Sequence, residues 1–138
     1  MKSFDCFQPT EIRFGPGRIR EVGEVVARFG KRCLLVTRPE TEASGSVLAD
    51  VKKGLEEAGV SAAHFDGVIP NPTTDCITAG ADAAEAHGAD VILGLGGGSS
   101  MDAAKAIAVE ATHEGTSWDH LFYRETQPTD NRFLPSSP

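Results

Sequence analysis

Four glycines in five positions, followed by two serines, form the segment of this sequence best suited to binding a phosphate. The stretch VILGLGGGSSMDAAKAIAV, residues 91–109, passes from an apolar run through these glycines into an alanine-rich amphipathic segment. A glycine-rich turn between a strand and a helix lets a phosphate approach the backbone, and the helix N-terminus supplies free N–H groups. The predicted pyrophosphate site consists of Gly96, Gly97, Gly98 and Ser99. Asp102, three residues further along, could bond another part of the ligand.

Spacing alone leaves a second interpretation of this segment open. The glycines could serve only to pack a strand tightly against a helix, and Asp102 could only cap that helix. The GxGxxG fingerprint normally follows the first strand, whereas this segment follows the fourth predicted strand, and no GK[ST] follows as in a Walker loop. Lys105 lies one turn beyond Asp102, and its predicted role is an i, i+3 ion pair.

Alternating extended and helical segments must position this loop. Apolar periodicity predicts strands over residues 11–15, 32–37, 60–68 and 89–95. It predicts helices over residues 18–29, 44–58, 74–87 and 99–112. The expected helix boundaries are Ser44 or Ser46 as an N-cap, and Gly30, Gly59 and Gly88 at C-terminal ends. The expected buried side of the last helix is Met101, Ala104, Ile107, Ala108 and Ala111. This order predicts an α/β domain with a mostly parallel sheet flanked by helices.

Composition limits the partners that the chain could have. The 138 residues are the size of one domain, and 13 basic against 20 acidic residues give a net charge of −7. Such a chain is not attracted to nucleic acid or to an anionic membrane. No apolar run reaches the roughly 20 residues of a membrane span. Three cysteines without CxxC spacing indicate reduced thiols, and we expect a cytoplasmic protein.

Several motifs occur together and in order along the chain. GGGSSMDAAKAIA at 96–108 fits the pattern G-G-G-S-x-x-D-x-x-K. The others are FQPTEIRFGPGRI at 7–19, LLVT at 34–37, VIPNPT at 68–73 and SWDHL at 117–121. With these motifs the chain resembles the iron-dependent alcohol dehydrogenase family, which is related to glycerol dehydrogenase and dehydroquinate synthase. A relative of either of those two enzymes is the alternative within this group.

The resemblance implies a Rossmann-like N-terminal domain over residues 1–138 that binds a nicotinamide dinucleotide. It places Gly97, Gly98 and Ser99 on the pyrophosphate, and it places Asp102 and Asn71 in the cofactor cleft. The reaction that it implies for the parent enzyme is reversible hydride transfer between NAD(P) and an alcohol or aldehyde.

Arg38 departs from the family pattern. It follows the second predicted strand, where the family often has an aspartate that holds the adenine ribose. An acidic residue there selects NAD, whereas arginine can pair with the 2′-phosphate of NADP. We therefore expect a slight preference for NADP. The alternative is that Arg38 is a surface cation beside Glu40 and Glu42.

The resemblance also implies a helical domain that carries an aspartate and three histidines as iron or zinc ligands. This sequence contains no such region, and its histidines lack HxxxH or HxxE spacing; they are His64, His87, His113 and His120. We expect no metal site and no catalytic residue in the chain, and no activity of the chain alone. A fragment of a longer dehydrogenase, a natural half protein and a non-catalytic nucleotide-binding module all stay open, as does a homo-oligomer.

Overall fold

A parallel β-sheet forms the centre of the molecule in a computed structural model, which describes residues 10–120 and the backbone of residues 136 and 137, and gives no side chains for residues 42–44. The strands are β1 (Arg32–Val36), β2 (Ser61–Phe65), β3 (Val91–Gly94) and β4 (Ser136–Ser137). Their order across the sheet is β2-β1-β3-β4, and all neighbouring pairs are parallel. The predicted α/β fold with a mostly parallel sheet is therefore confirmed.

Helices cover both faces of this sheet. A 3-10 turn (Arg18–Glu21) leads into α1 (Val22–Ala27), and the longer helices are α2 (Glu42–Glu57), α3 (Thr74–His87) and α4 (Gly98–Glu110). One core lies between the sheet and helices α1 and α2, and its largest fully buried members are Leu35, Leu55, Val26, Val51 and Val91. The other core lies beneath α3 and α4, and it includes Leu34, Val36, Ile77, Ile92 and Ile107. Alternate residues of β1 thus serve opposite cores, which explains its continuous apolar run.

Within residues 10–120, no helix combines the length and the apolar character that a membrane crossing requires.

The predicted strand at residues 11–15 is wrong. This segment has no strand hydrogen-bonding pattern, and the side chains of Ile12 and Phe14 are 81% and 93% exposed. Arg13 instead pairs with Glu11 at 2.6 Å and with Glu21 at 2.8 Å. Alternating polarity predicts a strand only where a sheet edge is available for pairing, and here the segment runs along the outside of the 3-10 turn.

Two predicted helix boundaries are also wrong. Helix α2 begins at Glu42, so both Ser44 and Ser46 lie inside it. The Gly45 N–H donates to the Thr41 carbonyl at 3.0 Å, which makes Thr41 the residue before the first turn, and threonine is a favoured residue there. The other wrong boundary is that of the first predicted helix, over residues 18–29. Its first residues form a 3-10 turn, and α1 ends at Ala27, before the predicted cap Gly30.

Asp90 fixes the start of the sheet. Its carboxylate accepts the N–H groups of Lys31 at 2.9 Å and Arg32 at 2.8 Å, just where β1 begins. A Cβ atom on Gly30 would lie only 2.1 Å from this carboxylate. Gly30 is therefore required for a close approach to Asp90 and does not cap the first helix as predicted. Burial raises the pKa of Asp90, but the backbone N–H groups outweigh it and hold the pKa below its ordinary value of 3.8.

We expect Asp90→Ala to lower the free energy of unfolding by about 1–2 kcal/mol, because two charge-assisted hydrogen bonds are lost at a half-buried site. A group whose pKa is lower in the folded state stabilises the fold above its unfolded pKa, and this contribution disappears as pH falls through the folded value. Urea unfolding at pH 7 and below about pH 4 measures both effects. Asp82→Ala, at an exposed position of α3, is the control. A gap between parent and Asp90→Ala that does not narrow in acid would contradict this role.

Candidate functional site

The strand order predicts a ligand crevice beyond the carboxyl ends of β1 and β3. From β1 the chain crosses through α2 to β2 on one side, and from β3 it crosses through α4 to β4 on the other. Such a reversal between adjacent parallel strands is where α/β domains bind ligands, beyond the carboxyl ends of the strands. Hydrogen bonds join the loops there: Val68 N–H donates to the Thr37 carbonyl at 3.2 Å, and Leu95 N–H donates to the Val36 carbonyl at 2.9 Å.

The glycine loop leaves β3 at this crevice and enters α4. Gly96 has φ of +140°, a region that favours glycine, and a Cβ there would lie 2.8 Å from the Ser100 Oγ. Ser100 is fully buried beneath the bend, and its hydroxyl has no hydrogen-bond partner among the described residues. The close approach of loop and helix therefore requires glycine at position 96.

Tight packing accounts for one glycine of this segment and does not account for two others. A Cβ on Gly94 would lie 3.0 Å from Ala104 Cβ and 3.1 Å from the Ser100 carbonyl oxygen, so α4 packs directly on the end of β3. By contrast, no described atom lies within 4 Å of an ideal Cβ on Gly97 or Gly98, and both residues are exposed. The packing interpretation therefore leaves Gly97 and Gly98 unexplained, whereas a ligand that approaches their backbone explains them.

The first turn of α4 presents unused hydrogen-bond donors at the crevice. Gly97 is the N-cap and provides no side chain, while its carbonyl accepts the N–H groups of Ser100 at 3.0 Å and Met101 at 3.1 Å. Within the described residues, no hydrogen bond uses the N–H of Gly98 or Ser99. These two donors and the positive end of the α4 dipole suit an anion.

Asp102 does not cap α4. Its side chain is 75% exposed and lies 3.5 Å from the Lys105 ammonium, which is the predicted i, i+3 pair. An ion pair this exposed contributes little to stability. Asp102 thus stands on the outer side of the first turns of α4, with its carboxylate accessible to a ligand at the crevice.

The buried side of α4 differs from the predicted stripe by one position at its start. Met101 is 38% exposed, and Ser100 is the buried residue of that turn. Further along, Ala104, Ile107 and Ala108 are buried as predicted. Ser100 rather than Met101 lies inward because the phase of α4 places residues 100, 103, 104 and 107 on its buried side.

Asn71 lies in the turn between β2 and α3. Among the described residues it is the only non-glycine with positive φ, at +52°, a conformation that asparagine tolerates better than most residues. Pro70 and Pro72 flank it, and the Thr73 Oγ1 caps α3 by accepting the Cys76 N–H at 3.4 Å. The turn thus holds an exposed amide side chain beyond the carboxyl end of β2, the strand next to β1.

Arg38 lies two residues beyond the end of β1, after Thr37. Its side chain is exposed and forms no ion pair with any described side chain. The Glu40 carboxylate is directed at α2, where it lies 2.7 Å from the position of a Cβ on Gly45. Arg38 therefore remains available to an anionic ligand, and Glu40 does not occupy it.

A chain of hydrogen bonds behind Arg38 was not anticipated from the sequence. The Thr37 Oγ1 donates to the Arg38 carbonyl at 2.7 Å and lies 2.9 Å from the His64 Nε2. The Lys52 Nζ lies 3.2 Å from the His64 Nδ1. His64 is therefore a hydrogen-bonded, half-buried histidine, and the contact that brings it here is the pairing of Leu35 with His64 between β1 and β2.

The described residues do not form a metal site. No group of three or more His, Cys, Asp or Glu side chains within residues 10–120 could hold a metal ion. His113 and His120 pack edge to face, with ring centroids 5.3 Å apart, and the His113 Nδ1 lies 2.9 Å from the Val109 carbonyl.

Sequence similarity to known proteins indicates the family in which this site occurs. The profile of the iron-containing alcohol dehydrogenases matches residues 9–136. The choline dehydrogenase of Bacillus subtilis is 40% identical over 137 residues, which cover 98% of this chain and 34% of that enzyme. An NADH-dependent butanol dehydrogenase A of Clostridium acetobutylicum is 31% identical over 119 residues, which cover 86% of this chain and 31% of that enzyme.

Solved structures agree with these matches. An archaeal halo-thermophilic alcohol dehydrogenase from a Red Sea brine pool superposes with a TM-score of 0.89 at 36% identity, over 99% of this chain and 36% of that enzyme. The NADH-dependent butanol dehydrogenase A of Thermotoga maritima gives a TM-score of 0.85 at 30% identity, over 99% of this chain and 34% of that enzyme. The chain spans about a third of the length of the relatives that it matches.

Proposed function

The chain belongs to the iron-containing alcohol dehydrogenase family, and on that premise we propose that its crevice binds a nicotinamide dinucleotide cofactor. One observation carries the proposal: within the described residues the N–H groups of Gly98 and Ser99 form no hydrogen bond at the N-terminus of the 13-residue helix α4, which begins at the reversal of strand order. No described atom lies within 4 Å of a Cβ on Gly97 or Gly98. A pyrophosphate carries negative charge and acceptor oxygens that fit these donors. The cradle would be filled by a Cβ on Gly97 or Gly98, which explains why both residues are glycine.

The remaining site residues surround this pyrophosphate position. Gly96 provides the bend that turns the loop toward α4, and Ser99 adds a hydroxyl donor at its first turn. Asn71 presents its amide from the turn after β2, and Asp102 presents a carboxylate from α4. A bound nicotinamide supplies hydride chemistry, while this chain binds the cofactor and orients it.

We further propose that the chain prefers NADP to NAD. Arg38 is exposed, lies two residues beyond β1 and has no ion-pair partner among the described residues. A guanidinium matches the geometry of a phosphate and gives charge-assisted hydrogen bonds. The relatives named above include enzymes described as NADH-dependent, so this preference would distinguish the chain from them.

The reaction that we propose for the enzyme to which this chain would belong is reversible hydride transfer between the dinucleotide and an alcohol or aldehyde, in the cytoplasm. The names of the relatives support an alcohol as substrate, since they include butanol and 1,3-propanediol dehydrogenases. Residues 1–138 would be the dinucleotide-binding domain of such an enzyme. Iron or zinc would be held by a helical domain, as the resemblance to the family implies. Self-association of the chain is a further part of this proposal.

Calorimetric titration of the purified chain with NADPH, NADH and ADP-ribose tests the proposal. We expect all three to bind, because ADP-ribose contains the pyrophosphate and adenine ribose that the described residues would contact. We expect NADPH to bind most tightly. Adenosine, which lacks phosphate, is the control and should bind far more weakly. Failure of NADPH, NADH and ADP-ribose alike to bind would contradict the proposed function.

A further inference from the structure

The hydrogen bonds behind Arg38 have a fixed direction. An ammonium can only donate, so the Lys52 Nζ donates to the His64 Nδ1, and that nitrogen must be unprotonated. The proton of a neutral His64 then resides on Nε2, which donates to the Thr37 Oγ1. The hydroxyl proton of Thr37 is directed at the Arg38 carbonyl. Each donor in this series of hydrogen bonds therefore has one acceptor, and the series ends at the main-chain carbonyl of Arg38.

The backbone at Arg38 is also restricted by its sequence neighbour. Pro39 has a fixed φ and confines the preceding residue to extended conformations. The hydrogen bond from Thr37 adds an orientation for the Arg38 carbonyl, and Thr37 itself is 6% exposed and bonded to β2 through its N–H, which donates to the Phe65 carbonyl at 2.9 Å. The guanidinium of Arg38 thus extends from a main chain that is held on both sides.

We propose that Lys52, His64 and Thr37 are positioning residues that hold Arg38 at the adenine ribose and so set the preference between NADPH and NADH. The inference rests on the proposed function, because it requires the cofactor to bind at this crevice. Holding the backbone reduces the conformational entropy that Arg38 loses when it pairs with a 2′-phosphate. Outer hydrogen-bond partners commonly orient a ligand-binding group in this way.

The protonation state of His64 decides whether Lys52 is bonded to this histidine. Protonation would place an Nδ1–H against the Lys52 ammonium and break that hydrogen bond, while the Nε2–H would still donate to the Thr37 Oγ1. Burial lowers the pKa of His64 below its ordinary value of 6.5, and the charge of Lys52 lowers it further, against the charges of Asp66 and Glu40. Glu56 of α2 lines the same cavity as Lys52 and His64. The hydrogen bond from Lys52 is therefore present at neutral pH and is lost only in acid.

Paired variants separate this role from charge and from packing. Lys52→Met and Lys53→Met each remove one ammonium from adjacent positions of α2, but only Lys52 contacts His64; Lys53 pairs with Glu57 at 3.7 Å on the exposed side. Thr37→Val keeps the shape of the side chain without the hydroxyl, and Thr37→Ser keeps the hydroxyl. The readout is the ratio of the NADPH and NADH dissociation constants, with ADP-ribose affinity as a check on the pyrophosphate site.

We expect Lys52→Met and Thr37→Val to reduce the NADPH preference by roughly threefold to tenfold, the range of one hydrogen bond. Lys53→Met and Thr37→Ser should keep the parent ratio, and ADP-ribose affinity should stay within about twofold in all four variants. Unchanged ratios in Lys52→Met and Thr37→Val would overturn the inference and leave the proposed function standing. A parent chain that binds no dinucleotide would overturn both. A parent chain that binds NADPH and NADH equally would overturn the inference and the proposed NADP preference, and would leave dinucleotide binding standing.

A pH series adds a readout that a structural role would not change. His64→Gln offers an acceptor and a donor but does not titrate. We expect the NADPH preference of the parent to fall more steeply than that of His64→Gln as the pH falls through the lowered pKa of His64. Protonation of the 2′-phosphate is common to both proteins and cancels in the comparison. Identical pH profiles of the two proteins would overturn the titrating role of His64.

Discussion

Gly98→Val will abolish dinucleotide binding and leave the fold intact. The branched side chain would stand at the first residue of α4, in front of the N–H groups of Gly98 and Ser99 that a pyrophosphate must reach. Losing two hydrogen bonds to a charged group costs about 3–6 kcal/mol, so affinity should fall by at least about a hundredfold. Calorimetric titration with NADPH measures the loss.

The fold should tolerate this substitution for two reasons. No described atom lies within 4 Å of a Cβ on Gly98, and the residue does not have a positive φ. The free energy of unfolding, measured by thermal denaturation, should therefore change by no more than about 1 kcal/mol, which is the scale of helix propensity. Ala86→Val, at an exposed position of α3, is the matched control and should bind NADPH normally. Parent-like NADPH affinity in Gly98→Val would place the pyrophosphate elsewhere.

Local sequence signals predicted those parts of the fold that depend on local interactions. Helix α3 spans residues 74–87 as predicted, because Thr73 caps its start and Gly88 ends it in a left-handed conformation. Strand β1 was predicted because it is buried on both faces and its apolar run is continuous. The segment at 11–15 could not be predicted in this way, since alternating polarity says nothing about whether a sheet edge is within reach.

The candidate site likewise has parts that local sequence predicts and parts that depend on contacts distant in sequence. The loop from Gly96 to Ser99 was predicted because its glycines, the preceding strand and the following helix are contiguous in sequence. Sequence alone could not separate packing glycines from ligand-binding ones, because that requires the surroundings of each Cβ, and Gly94 differs from Gly98 only in those surroundings. The contact of Lys52 with His64 depends on the β1–β2 register and on the rotation of α2, neither of which a single sequence specifies.

Arg38→Asp will reverse the cofactor preference. In the parent, the exposed guanidinium can form charge-assisted hydrogen bonds with a 2′-phosphate, worth on the order of 1.5–3 kcal/mol, or roughly tenfold to a hundredfold in affinity. The aspartate would repel this phosphate and offer an acceptor to the ribose hydroxyls of NADH. The dissociation constant of NADPH divided by that of NADH, measured by calorimetry on both proteins, should therefore be below 1 in the parent and above 1 in Arg38→Asp.

Ionic strength and a charge-matched control distinguish a direct contact from a general field. The preference of the parent for NADPH should weaken as salt rises, because a contact at the mouth of a crevice is partly screened, with a Debye length of about 8 Å at 0.15 M. Arg20→Asp makes the same charge change on the exposed 3-10 turn and should leave the cofactor ratio unchanged. If the parent binds both cofactors equally and Arg38→Asp does not alter this, Arg38 is only a surface cation.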